Sequence, residues 1–217
     1  MLTEKTDYLT AGIHIGMKTC NQYMKEYVYK VREDGLAVFN LQKVDERLTI
    51  AASFLASFEK ILVVSRKDTA AKSITTFAKA TKSTAISGRF NPGTLTNPAY
   101  RDFTEPDVVF VVDPLIDEQV IVEAKQKRIP IVALCGTFNS AKNVDLVLPV
   151  NNNGKKSLAL IFFLLAREIH KHRGNKEDFS YELKDFLDER EPKSQPGRHR
   201  DKRRGDYANR KPPARRR

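Results

Sequence analysis

The sequence predicts an α/β protein built on a doubly wound, mostly parallel sheet. Short β-branched runs that are apolar almost without interruption suit strands buried on both faces, as a parallel sheet covered by helices requires. Segments with apolar residues at helical spacing lie between those runs, which is the alternation of a doubly wound sheet. A chain of 217 residues at 41% apolar composition can bury one sizeable core and is short for two.

Taken in order, the first helical pattern runs from Val44 to Phe58, with Leu48, Ala51, Ala52 and Leu55 on one face. The strand Ile61–Val64 follows, then a helix over Thr69–Thr81 carrying Ala70, Ile74, Phe77 and Ala78. A strand is expected at Val108–Val112, a helix at Ile116–Lys127 with Val120, Ile121 and Ala124 inward, and strands at Ile129–Leu134 and Val144–Leu148. The helix Lys156–Lys171 is apolar nearly all round and must be covered on both sides, either by the following chain or by a partner. Past Gly174, Phe179, Leu183, Phe186 and Leu187 stand at helical spacing among acids, so an amphipathic helix is expected to dock on the body or on a neighbour. The organisation is therefore a domain over 1–173, an amphipathic helix over 174–190 and a tail over 191–217. Proline, glycine and basic residues dominate that tail, which lacks the apolar content to offset its ordering entropy and is expected to be disordered alone.

The formal charge of +11 and a pI near 9.6 point to a polyanionic partner. From Arg190 to Arg217 there are 12 Lys and Arg against three acids, so most of the excess sits in the tail. Cys20 and Cys135 lack the paired spacing of zinc or redox motifs, which fits a reduced, cytoplasmic chain. The polar start gives no secretory signal, and the longest apolar run, Leu158–Ala166, is far short of the ~20 residues of a membrane span.

Ligands of open α/β sheets gather at the carboxyl ends of the strands, here Ser65-Arg66, Asp113-Pro114 and Gly136–Asn139. Asp113 reads as a phosphoacceptor or metal carboxylate, or as a helix cap followed by Pro at the first helical position. The absence of a second acid at a strand end favours the cap. Asn151–Ser157 fails as a phosphate loop, because Pro149 and Lys156 stand where that motif needs Gly and Ser or Thr. It remains a helix entry that either holds a backbone phosphate or simply caps. His14 has no nucleophile or second histidine at useful spacing and is read as structural; Cys135 is read as a small apolar residue.

Two segments look unlike core. Gly16–Lys25 mixes cationic, amide, hydroxyl and aromatic groups suited to phosphate contacts beside a stacking ring, with Lys18, Thr19, Asn21, Gln22, Tyr23 and Lys25 as candidates. The long polar loop Ser87–Pro98 offers Arg89, Asn91, Thr94 and Asn97. Both read equally as solvated loops. Lys155 at the helix entry and Arg198, Arg200, Lys202, Arg203 and Arg204 in the tail complete the candidate RNA contacts.

The segments Ala11–Gly16, Lys18–Met24, Leu41–Arg47, Gly88–Pro98, Val111–Pro114, Ile129–Cys135, Asn143–Pro149 and Asn151–Leu160 together resemble, in order, the small-subunit ribosomal protein S-two family. The resemblance covers about Leu9 to Glu168. The short link from Asn97 to Val108 is unlike the bacterial members with their helical insertion, and the basic, tryptophan-free end is unlike the eukaryotic laminin-receptor type, so the chain resembles the archaeal branch. Gly136 stands where the family usually has Asp, which leaves open any cap or polar contact made there. The resemblance implies a flavodoxin-like three-layer α/β/α fold with C-terminal helices and a basic tail, and a non-catalytic role without cofactor, metal or small-molecule substrate. It also implies a place on the solvent side of the small ribosomal subunit near the junction of head and body. The partners implied are small-subunit rRNA and neighbouring ribosomal proteins, with no membrane.

Overall fold

The computed structural model describes residues 2–174 and 179–187. In chain order its elements are α1 (Lys5–Ala11), β1 (Val28–Val31), β2 (Ala37–Phe39), α2 (Leu41–Ala56), β3 (Ile61–Ser65), α3 (Ala71–Thr81), β4 (Thr84–Ser87), β5 (Val108–Val111), α4 (Glu118–Gln126), β6 (Ile131–Cys135), β7 (Leu146–Pro149), α5 (Lys155–His172) and α6 (Leu183–Phe186).

Five strands form a parallel sheet in the order β4-β3-β5-β6-β7, and every residue of β3, β5 and β6 is buried. The chain leaves β3 toward β4 by way of α3 and later builds outward in the opposite direction, from β5 to β6 by way of α4. Right-handed crossovers then place α3 and α4 on opposite faces, which makes the sheet doubly wound. On one side α5 packs against α2 and α3. Phe77 of α3, Phe110 of β5 and Phe162 of α5 meet there with ring centroids 5.3–6.1 Å apart. These distances suit edge-to-face and tilted packing, so one aromatic cluster joins sheet and helices.

The four strands read from the sequence are present with ends shifted by up to two residues. Helix α2 starts at Leu41 rather than Val44, because Asn40 accepts the amide of Gln42 as its cap and the polar first turn carries no apolar period. Over 68–70 the chain is a 3₁₀ turn, and α3 begins only at Ala71. Helix α4 begins at Glu118 rather than Ile116, since a turn occupies the residues after Pro114. Strand β4, the antiparallel ribbon β1-β2 and helix α1 are additional to those expected.

The expected continuous helix over 174–190 is corrected within its described part. Residues 179–182 are non-helical and α6 is a single turn. Ser73 donates to the Phe186 carbonyl at 2.9 Å and Thr76 to that of Asp185 at 3.2 Å, so α3 takes the acceptors a longer helix would use. Phe179, Tyr181 and the fully buried Phe186 cluster around Phe163. This chain therefore covers the second apolar side of α5. Residues 175–178 and the tail over 191–217 lie outside the described residues. No helix among the described residues is long and apolar enough to cross a membrane.

Candidate nucleic-acid interface

The sheet reverses its winding between β3 and β5, and at the carboxyl ends of these strands the protein's own side chains fill the crevice. Lys67 Nζ lies 2.6 Å from Asp113 Oδ2 and donates to the Asn152 carbonyl at 2.9 Å and to Asn153 Oδ1 at 2.6 Å. Asp113 Oδ1 accepts from the Leu115 amide (3.0 Å) and from Asn139 Nδ2 (2.8 Å). Asn152 Nδ2 in turn reaches Asn139 Oδ1 and the carbonyls of Val112 and Leu134. Asp113, Asn139 and Asn152 are each about 1% exposed. A phosphate acceptor or metal ligand needs a carboxylate open to its ligand, whereas that of Asp113 is already matched by an ammonium and two further donors.

The capping role read for Asp113 holds for the turn Pro114–Ile116, not for α4, whose N-terminal neighbour is Asp117. Asp117 is the second acid that sequence spacing did not reveal. It is 3% exposed, and burial, helped by the nearby Asp113 charge against the amide of Arg66, pushes its carboxyl up to about 6. Among the described residues no group of three or more His, Cys, Asp or Glu is placed to hold a metal. Cys135 ends β6 fully buried, and burial together with the Asp113 charge pushes its thiol up to about 12, so it behaves as an apolar residue.

The segment Gly16–Lys25 lies across the carboxyl ends of β6 and β7. Met17 donates its amide to Thr137 Oγ1 at 2.8 Å, Asn21 donates to the Thr137 carbonyl at 2.7 Å, and Asn151 donates its amide to Ile13. The other side of the segment zips onto β2, through Gly16 to the Ala37 carbonyl at 2.8 Å and Phe39 to the His14 carbonyl at 2.9 Å. His14 is thus part of this backbone ladder, as its structural reading requires. A Cβ at Gly16 would stand 2.4 Å from Thr137 Cγ2 and 2.8 Å from the Ala37 carbonyl, so only glycine permits this approach. Gly136 is also approached closely, though by side chains alone: a Cβ there would lie 2.9 Å from Asn152 Oδ1. Its amide is held by Asn139 Oδ1 at 2.7 Å, so the polar contact in this turn comes from Asn139.

Lys18, Thr19, Gln22, Tyr23 and Lys25 are exposed on this segment. Asn21 is half-buried, and its side chain caps the 3₁₀ turn Gln22–Tyr27 by accepting from the Tyr23 amide. Lys155 is partly buried at the start of α5, a turn further along the same edge.

Arg89 stands just beyond β4, three strands from β6, which is about 14 Å at the usual inter-strand spacing. Its loop is shaped by buried Glu123 of α4, whose carboxylate accepts from the amides of Gly93 (2.8 Å) and Leu95 (3.2 Å), the Thr96 hydroxyl and Gln119. Burial raises the carboxyl of Glu123, but these donors together outweigh it and hold the group below its ordinary range. Arg89, Asn91 and Asn97 are exposed, with Asn97 also accepting from the Ala99 amide. Thr94 is a correction. It is 3% exposed and donates its hydroxyl to the Asn91 carbonyl at 2.7 Å, so it shapes the loop and faces no ligand. Arg198, Arg200, Lys202, Arg203 and Arg204 lie outside the described residues.

The structure thus brings Lys18–Lys25 and Lys155 together on one end of the sheet, sets Arg89 further along that edge, and removes Thr94. Sequence reasoning did not find Lys67, Thr137, Asn139 or Asn152 as the groups that fill and support it. Their only signal was position at strand ends.

A family model described as Ribosomal protein S2 matches residues 8–103 and 99–171. The chain is 50% identical over 170 residues to the small ribosomal subunit protein uS2 of Ignicoccus hospitalis, a match covering 77% of this chain and 80% of that protein. It is 44% identical over 191 residues to the small ribosomal subunit protein uS2 of Thermoplasma acidophilum, covering 86% of this chain and 96% of that one.

Proposed function

The chain belongs to the ribosomal protein S2 family, and from that premise we propose that it is a structural, non-catalytic constituent of the small ribosomal subunit that holds small-subunit rRNA and neighbouring ribosomal proteins. Its two relatives named above are archaeal, in keeping with the branch that the sequence resembles. Its working place is then the ribosome in the cytoplasm.

The observation that carries this reading is the state of the switch point. Where doubly wound sheets commonly admit a ligand, the buried carboxylate of Asp113 is paired with Lys67 and bonded to Asn139, which in turn meets Asn152, while Lys18, Lys25 and Arg89 are exposed on the same edge. Lys18, Lys25 and Arg89 neutralise phosphates and Gln22, Thr19, Asn91 and Asn97 add hydrogen bonds, so the folded body fixes position. The basic tail supplies further sequence-independent attraction through its Arg and Lys, including Arg198 to Arg204.

Co-sedimentation of tagged protein with small subunits tests the assignment, and its affinity for small-subunit rRNA should fall with salt at a log–log slope of about −0.9 per neutralised duplex phosphate. Alanine at Lys18, Lys25 and Arg89 together should reduce both the affinity and that slope. Undiminished incorporation of the triple variant would remove these residues from the interface. A nucleotide that specifically raised the melting temperature would instead favour a small-molecule site.

A further inference from the structure

We propose that the β1-β2 ribbon carries a base-stacking site, in which Tyr29 receives an unpaired RNA base while Lys18, Lys25 and Lys30 hold the flanking phosphates. The inference rests on the RNA-binding reading above and adds to it a ligand feature and a residue outside the segments singled out in the sequence.

The ribbon is irregular at one position. Val28 opposes Phe39 and Lys30 opposes Val38, so Tyr29 is the extra residue of a β-bulge. Bulges re-aim a side chain out of the ladder, and Tyr29 is 70% exposed, the most exposed large hydrophobic residue among those described. Tyrosines that serve the fold look different here. Tyr8 and Tyr27 are 0% and 6% exposed, with hydroxyls bonded to Asp45 and Arg47. Tyr29 resembles instead Tyr23, which is 59% exposed at the start of the 3₁₀ turn that leads into β1.

The segment leading into this ring carries more cations than acids, and beyond it the ribbon's turn adds Glu33 and an Arg32–Asp34 ion pair at 3.2 Å. Between Met17 and Lys30 there are three lysines and a single acid, Glu26. Lys18, Lys25 and Lys30 are all exposed, and the stem of Lys18 lies against the ribbon's turn, 3.9 Å from where a Cβ at Gly35 would stand. The ribbon is not a loose appendage, because the amides of Ala37 and Phe39 bond to Met17 and His14 and so tie it to the segment laid over β6 and β7. An exposed ring on a tied-down ribbon that also carries exposed lysines suits a splayed base, whose π-face is open, whereas bases in a paired stack have theirs covered by their neighbours.

The chain contains no tryptophan, so Tyr29→Trp installs a single indole reporter in the full-length protein. The probes are a short RNA hairpin with one unpaired adenosine and the same hairpin fully paired, with binding followed separately by anisotropy. Emission should be quenched by the bulged hairpin and much less by the paired one. Tyr29→Ala should weaken binding of the bulged hairpin roughly tenfold, while Tyr29→Phe keeps it. Unchanged emission with RNA bound, or equal quenching by both hairpins, overturns the proposal. A blue shift without quenching on binding to small subunits also overturns it, by giving the ring to a protein neighbour. Co-sedimentation of the unaltered chain with small subunits separates the two readings: if it sediments while Tyr29 variants bind both hairpins alike, only the stacking site fails.

Discussion

Lys67 Nζ stands 2.6 Å from Asp113 Oδ2 at the reversal point of the sheet, and the Asp113 side chain is 1% exposed. A buried pair of this kind is weak evidence of net stabilisation, because both ions lose hydration. Its asymmetry is the informative part. The Asp113 carboxylate was desolvated on the condition that an ammonium and two hydrogen-bond donors meet it.

Lys67→Met should therefore cost about 3–5 kcal/mol, the usual penalty for stranding a buried charge, and lower the melting temperature by about 10 °C for a domain of this size. Adding Asp113→Asn should recover much of the loss, since Asn can still accept from Leu115 and Asn139 without a charge to neutralise. Urea unfolding of the wild type, both single variants and the double variant measures the coupling. If the two single losses simply add, the residues are not a pair in solution.

Asp117 gives a prediction with a definite pH window. Its carboxyl is raised from an ordinary value of 3.8 to about 6, first by burial. Between those two values the unfolded chain has released this proton while the folded chain keeps it, so the group's contribution to stability falls as pH rises from about 4 to 6 and stays low above. Asp117→Asn keeps an acceptor for the Arg66 amide and cannot ionise. The variant should match the wild type near pH 4 and melt higher than it above pH 6.5. Thermal melts across pH 4 to 8 test this, and a variant less stable than the wild type at pH 8 would contradict it.

The parts legible in the sequence are those whose partners are close or whose environment is uniform. Strands β3, β5 and β6 are buried along their whole length, so their continuous apolar runs announce them. Strand β4 is an edge strand with Thr84 and Ser87 exposed, and β1 is exposed along most of its length, so neither leaves such a run. Gly16–Lys25 stood out because its chemistry suits no core. Thr94 misled for the opposite reason, since a hydroxyl that closes its own loop is indistinguishable in sequence from one that meets RNA. Lys67 could not be paired beforehand, because one of its acceptors lies 85 positions along the chain.

Gly16 links the fold to the proposed interface most directly. The exposed lysines at 18 and 25 are positioned because the backbone at residues 16–21 touches Thr137, and a methyl group at Gly16 would fall 2.4 Å from Thr137 Cγ2 and 2.8 Å from the Ala37 carbonyl. The threonine methyl can rotate away only by giving up the hydroxyl's bond to Met17, and the β2 backbone cannot yield without breaking its bond to the Gly16 amide. Gly16→Ala should cost about 1–3 kcal/mol as overpacking, modest enough to leave the parallel sheet folded. It should also loosen Lys18 and Lys25 from their common surface, so rRNA affinity should fall by more than the stability loss alone explains at a temperature where the variant is fully folded. Amide exchange at Met17 and Asn21 should rise in the same variant, because both donate to Thr137. Thr137→Ser retains the hydroxyl and removes the nearest clashing methyl, so pairing it with Gly16→Ala should restore part of the affinity. A Gly16→Ala protein that binds rRNA like the wild type, with Met17 and Asn21 still protected, would mean that the segment's attachment to β6 does not position these lysines.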